Sequence, residues 1–308
     1  MKKIIRIGTR ESQLAVWQAS QVKELLSRNG YTTELVEIKS EGDIDLSTPL
    51  YEMGVQGIFT RSLDAALVNN KIDVAVHSMK DVPTQLPAGI SQAAVLKRGP
   101  VHDLLVYKSS TDFLDDKDYI ANIATSSLRR KAQWLNKYPQ HRMHNLRGNV
   151  NTRLKKLKEE NWDAAIFAQA GLERIDLRPE NSSIIDWMIP APAQGAIVVV
   201  CRSSDELVSE ACQSFNDEET ALCTRIERDF LRELLGGCST PISALARVAN
   251  NQVQFRGSIL SLDGSRKVEI EKNNMPLQMG GDLGRMAARE LLSNGGSEIM
   301  EEIRHATR

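Results

Sequence analysis

Short apolar runs of strand character alternate with amphipathic stretches over the first two thirds of this chain, and no other feature limits the fold as tightly. Ile4 to Ile7, Thr33 to Ile38, Ile72 to Val76, Ile120 to Ala124, Ala164 to Ala168 and Ala196 to Val200 read as strands. Ser12 is placed to cap a helix whose Leu14, Ala15, Val22, Leu25 and Leu26 recur at roughly helical spacing, with Gly30 as its stop. Phe59 to Leu67 reads as a further helix. A βαβ rhythm of this kind predicts mostly parallel sheets with helices on both faces.

Two joints interrupt the rhythm, Lys97-Arg98-Gly99-Pro100 and Pro190-Ala191-Pro192-Ala193-Gln194-Gly195. Proline and glycine exclude a regular helix at both. The segment between them can be a domain inserted into the first. Residues 1–98 and 194–216 then form one α/β domain and 99–193 a second. After Glu218 the pattern changes: a long amphipathic helix runs to about Leu235, then alternating runs at Val253 to Ile259 and Lys267 to Ile270, then two helical stretches. Residues 217–308 thus read as a small α+β third domain. A chain of 308 residues is long enough for three such bodies.

The N-terminus, Met-Lys-Lys-Ile-Ile-Arg-Ile-Gly, is too short in apolar residues for a signal peptide, and no stretch approaches a membrane span. Cys201, Cys212, Cys223 and Cys238 show neither Cys-x-x-Cys spacing nor a nearby His pattern. That argues against a metal site or a disulfide framework and fits a reducing cytoplasm.

Charge is segregated. The formal net charge is only -1, yet no Asp or Glu occurs from Tyr119 to Lys158, while ten Lys and Arg do. Such a segment makes a local field that attracts anions. Within it, Ala124-Thr125-Ser126-Ser127-Leu128-Arg129-Arg130 reads as a strand end, a turn and a helix start. A helix start carries unpaired N–H groups and partial positive charge, so two arginines there call for an anion. Arg147-Gly148-Asn149-Val150-Asn151-Thr152-Arg153 repeats the pattern, and Gly8-Thr9-Arg10-Glu11-Ser12 is a third such junction. Discrete carboxylates or phosphates suit these junctions better than nucleic acid, since no nucleic-acid-binding motif is visible.

Val76-His77-Ser78-Met79-Lys80-Asp81-Val82-Pro83 follows a buried strand, where open α/β sheets bind ligands. Asp81 would be a carboxylate among cations there; the bland alternative is a turn aspartate before a proline. His77 reads as a satisfied core histidine. Leu235-Gly236-Gly237-Cys238-Ser239-Thr240-Pro241 puts a cysteine in a loop of small residues, open to a role as nucleophile or attachment point. The other three cysteines fall on apolar positions and read as small buried hydrophobes.

Together these motifs resemble the porphobilinogen deaminase (hydroxymethylbilane synthase) family. The likeness runs from Ile7-Gly8-Thr9-Arg10-Glu11-Ser12-Gln13-Leu14-Ala15 through His77 to Pro83, Thr125 to Arg130, Leu146 to Val150 and Ala193 to Ala196, ending at Gly236-Gly237-Cys238. It implies two domains like those of periplasmic binding proteins, joined by hinges, plus a smaller α+β domain carrying the cysteine. It also implies a cytoplasmic, monomeric transferase of tetrapyrrole and haem biosynthesis. Such an enzyme joins four porphobilinogen molecules head to tail, releasing ammonia at each step. The chain grows on a dipyrromethane cofactor held through a thioether, here to Cys238.

The resemblance further implies roles for individual residues. Lys80, Asp81, Ser127, Arg129, Arg130 and Arg153 would hold the cofactor. Arg10, Ser12, Gln18, Phe59, Arg147, Arg153, Arg174 and Gln194 would bind incoming or growing pyrrole units, whose acetates and propionates suit arginine forks. Asp81 would be catalytic, steadying the positive charge that develops when ammonia leaves. The chain departs from the family pattern at Glu52 and Gln56, where basic residues are expected in a loop near the site. Two other readings compete: a non-enzymatic small-anion-binding protein of the periplasmic-binding type, and a nucleic-acid-binding regulator.

Overall fold

A computed structural model describes residues 4–39, 59–234 and 240–306. In chain order they form β1 (Ile5–Thr9), α1 (Gln13–Arg28), β2 (Thr33–Glu37), α2 (Arg61–Val68), β3 (Val74–Ser78) and β4 (Ile90–Val95). Next come β5 (Asp103–Tyr107), β6 (Asn122–Ala124), α3 (Leu128–Lys137), β7 (Arg142–His144), α4 (Val150–Glu159), β8 (Ala164–Ala168), α5 (Gln169–Glu173) and β9 (Ser182–Ile185). Then follow β10 (Ile197–Arg202), α6 (Glu206–Gln213), α7 (Glu218–Glu233), β11 (Ile242–Ala249), β12 (Gln252–Leu260), β13 (Lys267–Pro276), α8 (Gly280–Leu291) and α9 (Ser297–Ala306).

The described residues divide into two compact units. Residues 4–39, 59–99 and 195–221 make the first; 100–194, 222–234 and 240–306 make the second. Among the described residues the chain therefore crosses at Gly99/Pro100, Gln194/Gly195 and, within α7, Ala221/Leu222. Proline and glycine suit the first two crossings: Gly195 has φ 85° and Ala193 has φ 62°, a left-handed value that costs a non-glycine residue energy. The Ala193 N–H is held there by the buried Glu227 carboxylate at 2.6 Å.

Each unit holds a five-stranded sheet, and the two share one plan. The first runs β2-β1-β3-β10-β4, the second β7-β6-β8-β5-β9. In each, three parallel strands are followed by an antiparallel one: β10 against β3, and β5 against β8. The antiparallel strand is the one entered just after a crossing. Each unit is thus an α/β body built on one mixed five-stranded sheet. The expectation of mostly parallel sheets needs correction, because both are mixed. Of the strands it lacked in these two sheets, β4, β5 and β9 pair antiparallel, and the short β7 pairs parallel with β6.

Period-two alternation sorts side chains to the two faces of the second sheet. Leu105, Ala164 and Ile166 pack with Ile123 and Trp134 on one face, and Leu104, Val106, Ala165 and Phe167 pack with Leu146 and Leu157 on the other. In the first sheet Ile5, Ile7, Val74, Val76 and Val199 pack with Ala19, Val22 and Leu26 of α1 and Val208 of α6. Each such aliphatic side chain contributes about 1.5–3 kcal/mol on burial. The smaller C-terminal body is the antiparallel sheet β11-β12-β13 covered by α7, α8 and α9, with Phe230 edge-on to Phe255 at 5.1 Å. Gly284 lets α8 approach α7, since a Cβ there would lie 2.1 Å from the Ile226 carbonyl oxygen. No helix among the described residues is long and apolar enough to cross a membrane.

Candidate active site

In the first unit β1 and β3 run parallel, so their carboxyl ends share an edge. Arg10 leaves β1 there, and its guanidinium lies 4.6 Å from the Phe59 ring centroid, a cation–π contact. Ser12 caps α1, its Oγ accepting from the Ala15 N–H at 3.4 Å. Gln18, one turn on and buried, donates to Ser78 Oγ at 2.9 Å and so holds the end of β3. Lys80 and Asp81 follow directly in a 3-10 turn, Met79–Asp81, both half-buried. This edge therefore gathers Arg10, Ser12, Gln18, Phe59, Lys80 and Asp81.

His77 is buried beside them, but it is not the satisfied core histidine expected. Its Nε2 meets no hydrogen-bond partner among the described residues. Burial, with Arg10 nearby, lowers it to about 4, so the ring is neutral at physiological pH.

The second unit repeats the geometry. Strands β6, β7 and β8 are parallel, and their carboxyl ends lead into Ser127, Arg147 and α5. Ser127 caps α3, accepting from the Arg130 N–H at 3.4 Å. Asn149 caps α4, accepting from the Thr152 N–H at 3.0 Å. Gly148, φ 110°, makes the turn between, and Arg153 Nε donates to its carbonyl at 2.7 Å. Arg147 is buried, and Arg174 sits at the end of α5, where burial lowers its guanidinium to about 10 and leaves it charged. Helices α1, α3, α4 and α5, which begin at these two edges, carry no acid in their first turns, whereas α2, which begins two residues after Phe59, carries Asp64, and α6, α7, α8 and α9 each carry at least one. The partial positive charge of the helix starts and the arginines beside them make both edges receptive to anions.

One anion, however, is the chain's own. Arg129 Nη1 donates to Asp103 Oδ2 at 2.7 Å, and Arg130 Nη2 donates to Asp103 Oδ1 at 2.8 Å. All three side chains are buried. Arg130 also donates through Nε to Asp103 and through Nη1 to the Ile166 carbonyl. Gln194, buried too, gives its Nε2 to Asp103 at 2.9 Å and to the Val101 carbonyl at 2.8 Å. Burial acts to raise the Asp103 carboxyl, but the two guanidiniums and these hydrogen bonds outweigh it and hold it well below the usual carboxylate range. Expecting an external anion from the acid-free sequence thus missed a carboxylate 26 residues upstream. The available signal was an Asp opening the apolar run Leu104-Leu105-Val106.

Cys238, Glu52 and Gln56 lie outside the described residues. The flanks of Cys238 are described. Ser243, five residues on, accepts from Gln133 Nε2 at 2.9 Å, and Gln133 lies one turn beyond Arg129 and Arg130 on α3. Cys201, Cys212 and Cys223 are buried, as read from sequence, and burial pushes the Cys212 thiol up to about 12.

Comparison with known proteins bears on the same residues. The family model for the porphobilinogen deaminase dipyrromethane cofactor binding domain matches residues 5–210, and that for the porphobilinogen deaminase C-terminal domain matches residues 221–293. A porphobilinogen deaminase of Pelobacter propionicus is 40% identical over 303 residues, covering 97% of each chain. One of Pelotomaculum thermopropionicum is 42% identical over 317 residues, covering 100% of this chain and 99% of its own. Among solved structures, the periplasmic VFT2 domain of Bordetella pertussis BvgS aligns with 71% of this chain and 90% of its own at 14% identity and a TM-score of 0.42; at that distance the likeness decides nothing. With matching family models over both the cofactor-binding and the C-terminal parts, and relatives alike over nearly the whole length, this chain belongs to the porphobilinogen deaminase family.

Proposed function

We propose that this chain condenses four porphobilinogen molecules head to tail into hydroxymethylbilane, with Asp81 as the catalytic carboxylate and Cys238 as the cofactor attachment. The observation that carries the site assignment is the gathering of arginines and acid-free helix starts at the carboxyl edges of the parallel strands in both units. Each porphobilinogen brings an acetate and a propionate, and guanidinium forks hold carboxylates bidentately.

The dipyrromethane fits the residues present. Arg129 Nε is buried and meets no acceptor among the described residues, and the Arg129–Arg130–Asp103 cluster carries one positive charge in excess. A pyrrole carboxylate would supply both the acceptor and the charge. Ser127, Arg129, Arg130 and Arg153, with Lys80, would hold the group, and Cys238 would bind it by a thioether. When bound, it supplies the free pyrrole carbon at which the chain extends.

Arg10, stacked on Phe59, together with Ser12, Gln18, Arg147, Arg153, Arg174 and Gln194, forms the set assigned to substrate or growing product. Of these, Gln18 acts by ordering the β3 turn through Ser78, and Gln194 by ordering Asp103. At each extension the substrate's C–N bond breaks and ammonia leaves. Positive charge then spreads onto the substrate's pyrrole nitrogen, and Asp81 is the carboxylate assigned to face that N–H. Asp81 would also be the candidate acceptor of the proton released when the new carbon–carbon bond replaces the broken C–N bond. We read the enzyme as cytoplasmic and monomeric, with domain limits at 1–98 with 194–216, 99–193 and 217–308.

Two variants test this reading. Asp81→Asn keeps shape and removes charge; turnover is expected to fall about 10²–10³-fold with the pyrrole adduct intact. Near-normal turnover on a fully loaded chain would remove Asp81 from the mechanism. Cys238→Ser is expected to show by intact mass only the mass of its amino acids and no porphobilinogen consumption. An adduct on Cys201, Cys212 or Cys223 would overturn the attachment site.

A further inference from the structure

Asp103 has no part in the chemistry assigned above, yet it meets the arginines on one side and the first two chain crossings on the other. It opens β5 and is fully buried. Its Oδ1 accepts from Arg130 Nε at 3.1 Å, Arg130 Nη2 at 2.8 Å and Gln194 Nε2 at 2.9 Å, and its Oδ2 accepts from Arg129 Nη1 at 2.7 Å. Gln194 Nε2 also reaches the Val101 carbonyl at 2.8 Å. Val101 follows the first crossing and Gln194 precedes the second.

Two nearly buried guanidiniums with no counter-charge would repel each other and swing toward water. A single carboxylate is enough to hold them and too little to neutralise them. It fixes Arg130 through two nitrogens and Arg129 through one, and it leaves Arg129 Nε buried without an acceptor among the described residues. That is how a site is kept both ordered and short of negative charge.

We propose that Asp103 is a positioning residue that holds Arg129 and Arg130 ready for a carboxylate of the pyrrole cofactor and ties them, through Gln194, to the first two chain crossings. This rests on the reading of the arginines as cofactor ligands. Asp103 acts before loading, when no ligand carboxylate shares the load. The arginines then arrive already oriented, and the ordering cost is met in folding rather than at capture.

The test follows loading of the full chain made in cells that produce no porphobilinogen. Porphobilinogen is added, and the covalent pyrrole mass per folded molecule is followed in time. Asp103→Asn is expected to load more slowly than wild type by about tenfold or more. A chain that is merely unstable would load its folded fraction at the wild-type rate. Gln194→Leu keeps every charge and removes one hydrogen bond to the same carboxylate, so a slowing of a few-fold is expected; it decides the matter alone if Asp103→Asn does not fold. A thermal cycle supplies the second readout. The fall in unfolding temperature caused by Asp103→Asn should be several degrees larger in a Cys238→Ser chain, which has no cofactor carboxylate, than in the loaded chain. Wild-type loading rates in the folding variants, or equal falls in both backgrounds, would overturn the inference. Failure of the wild-type chain itself to gain pyrrole mass would instead remove the reading beneath it.

Discussion

Each unit buries an aspartate between two arginines at the start of a strand, and strand direction gives the two opposite uses. Asp73 immediately precedes β3 and is held by Arg6 Nε at 2.9 Å and Arg202 Nη2 at 2.9 Å. Asp103 begins β5 and is held by Arg129 and Arg130. Because β3 runs parallel to β1, its start lies at the edge opposite the Asp81 turn; five residues of strand put roughly 17 Å between Asp73 and Ser78. Because β5 runs antiparallel to β8, its start pairs with Ala168 at the end of β8 and lies at the edge where α3, with Arg129 and Arg130 in its first turn, begins. Arg202 is further committed to the Leu67 and Ile72 carbonyls and to Asp205. In the first unit the arginines serve the carboxylate and close the fold. In the second the carboxylate serves the arginines.

The comparison breaks most sharply at the arginines. Arg130→Met leaves Asp103 buried with one guanidinium instead of two, and removing a partner from a buried pair costs about 3–5 kcal/mol. Arg6 is 33% exposed, so water relieves the Asp73 carboxylate when Arg6→Met removes its partner; the cost should be nearer 1 kcal/mol. Urea unfolding of both variants measures the gap. Equal losses would mean that the two clusters are energetically alike.

A smaller effect comes from the Asp73 carboxylate itself. Burial would raise it, but the hydrogen bonds from Arg6 and Arg202 prevail and hold it at about 2. A depressed carboxyl stabilises the fold above its unfolded value and loses that stabilisation as pH falls through the folded one. The window is therefore about pH 4 down to pH 2, and the contribution about 2 kcal/mol. Asp73→Asn should lower stability at pH 7 by about that amount and flatten the acid limb in that window. Covalent pyrrole mass and KM should stay at wild-type values, because the lesion lies at the far edge. A changed KM would show that the first unit's cluster reaches the ligand after all.

Strands and helices were legible where the chain repeats a period. Ala164–Ala168 matches its apolar run residue for residue, and Ser12 caps α1 as its spacing implied. What stayed hidden was β5. It follows the Gly99-Pro100 joint at once and opens with a charged residue, so it does not stand out as a strand. Without β5 the sheet looks parallel, and with the sheet parallel nothing carries Asp103 to the ligand edge. The ten cations of the acid-free segment show the same limit. Arg129, Arg130 and Arg147 are buried, whereas Lys137 lies over Trp187 at 4.5 Å and Lys155 pairs with Glu159 at 3.7 Å in water. Sequence density of charge marked the segment, and tertiary pairing decided which of its charges are buried. The turns and caps of the candidate site were readable because their chemistry is local, as at Gly148 and Asn149.

The finest test sits at the helix caps beside the two clusters. Asp205 caps α6 through the Val208 N–H at 3.4 Å and pairs with Arg202 of the Asp73 network. Ser127 caps α3 at the same distance from the Arg130 N–H. Replacing either by alanine removes a cap worth about 1 kcal/mol, with slightly more lost at Asp205 because its ion pair goes too. The stability losses should thus be similar and small. Their consequences should differ, because the first turn of α3 carries Arg129 and Arg130 whereas the first turn of α6 carries no arginine. Ser127→Ala is expected to slow pyrrole loading by a few-fold, while Asp205→Ala loads at the wild-type rate; intact mass over time reads both. If the two load alike, the start of α3 is held by the Asp103 pairings alone, and the cap contributes to the helix without helping to aim its arginines.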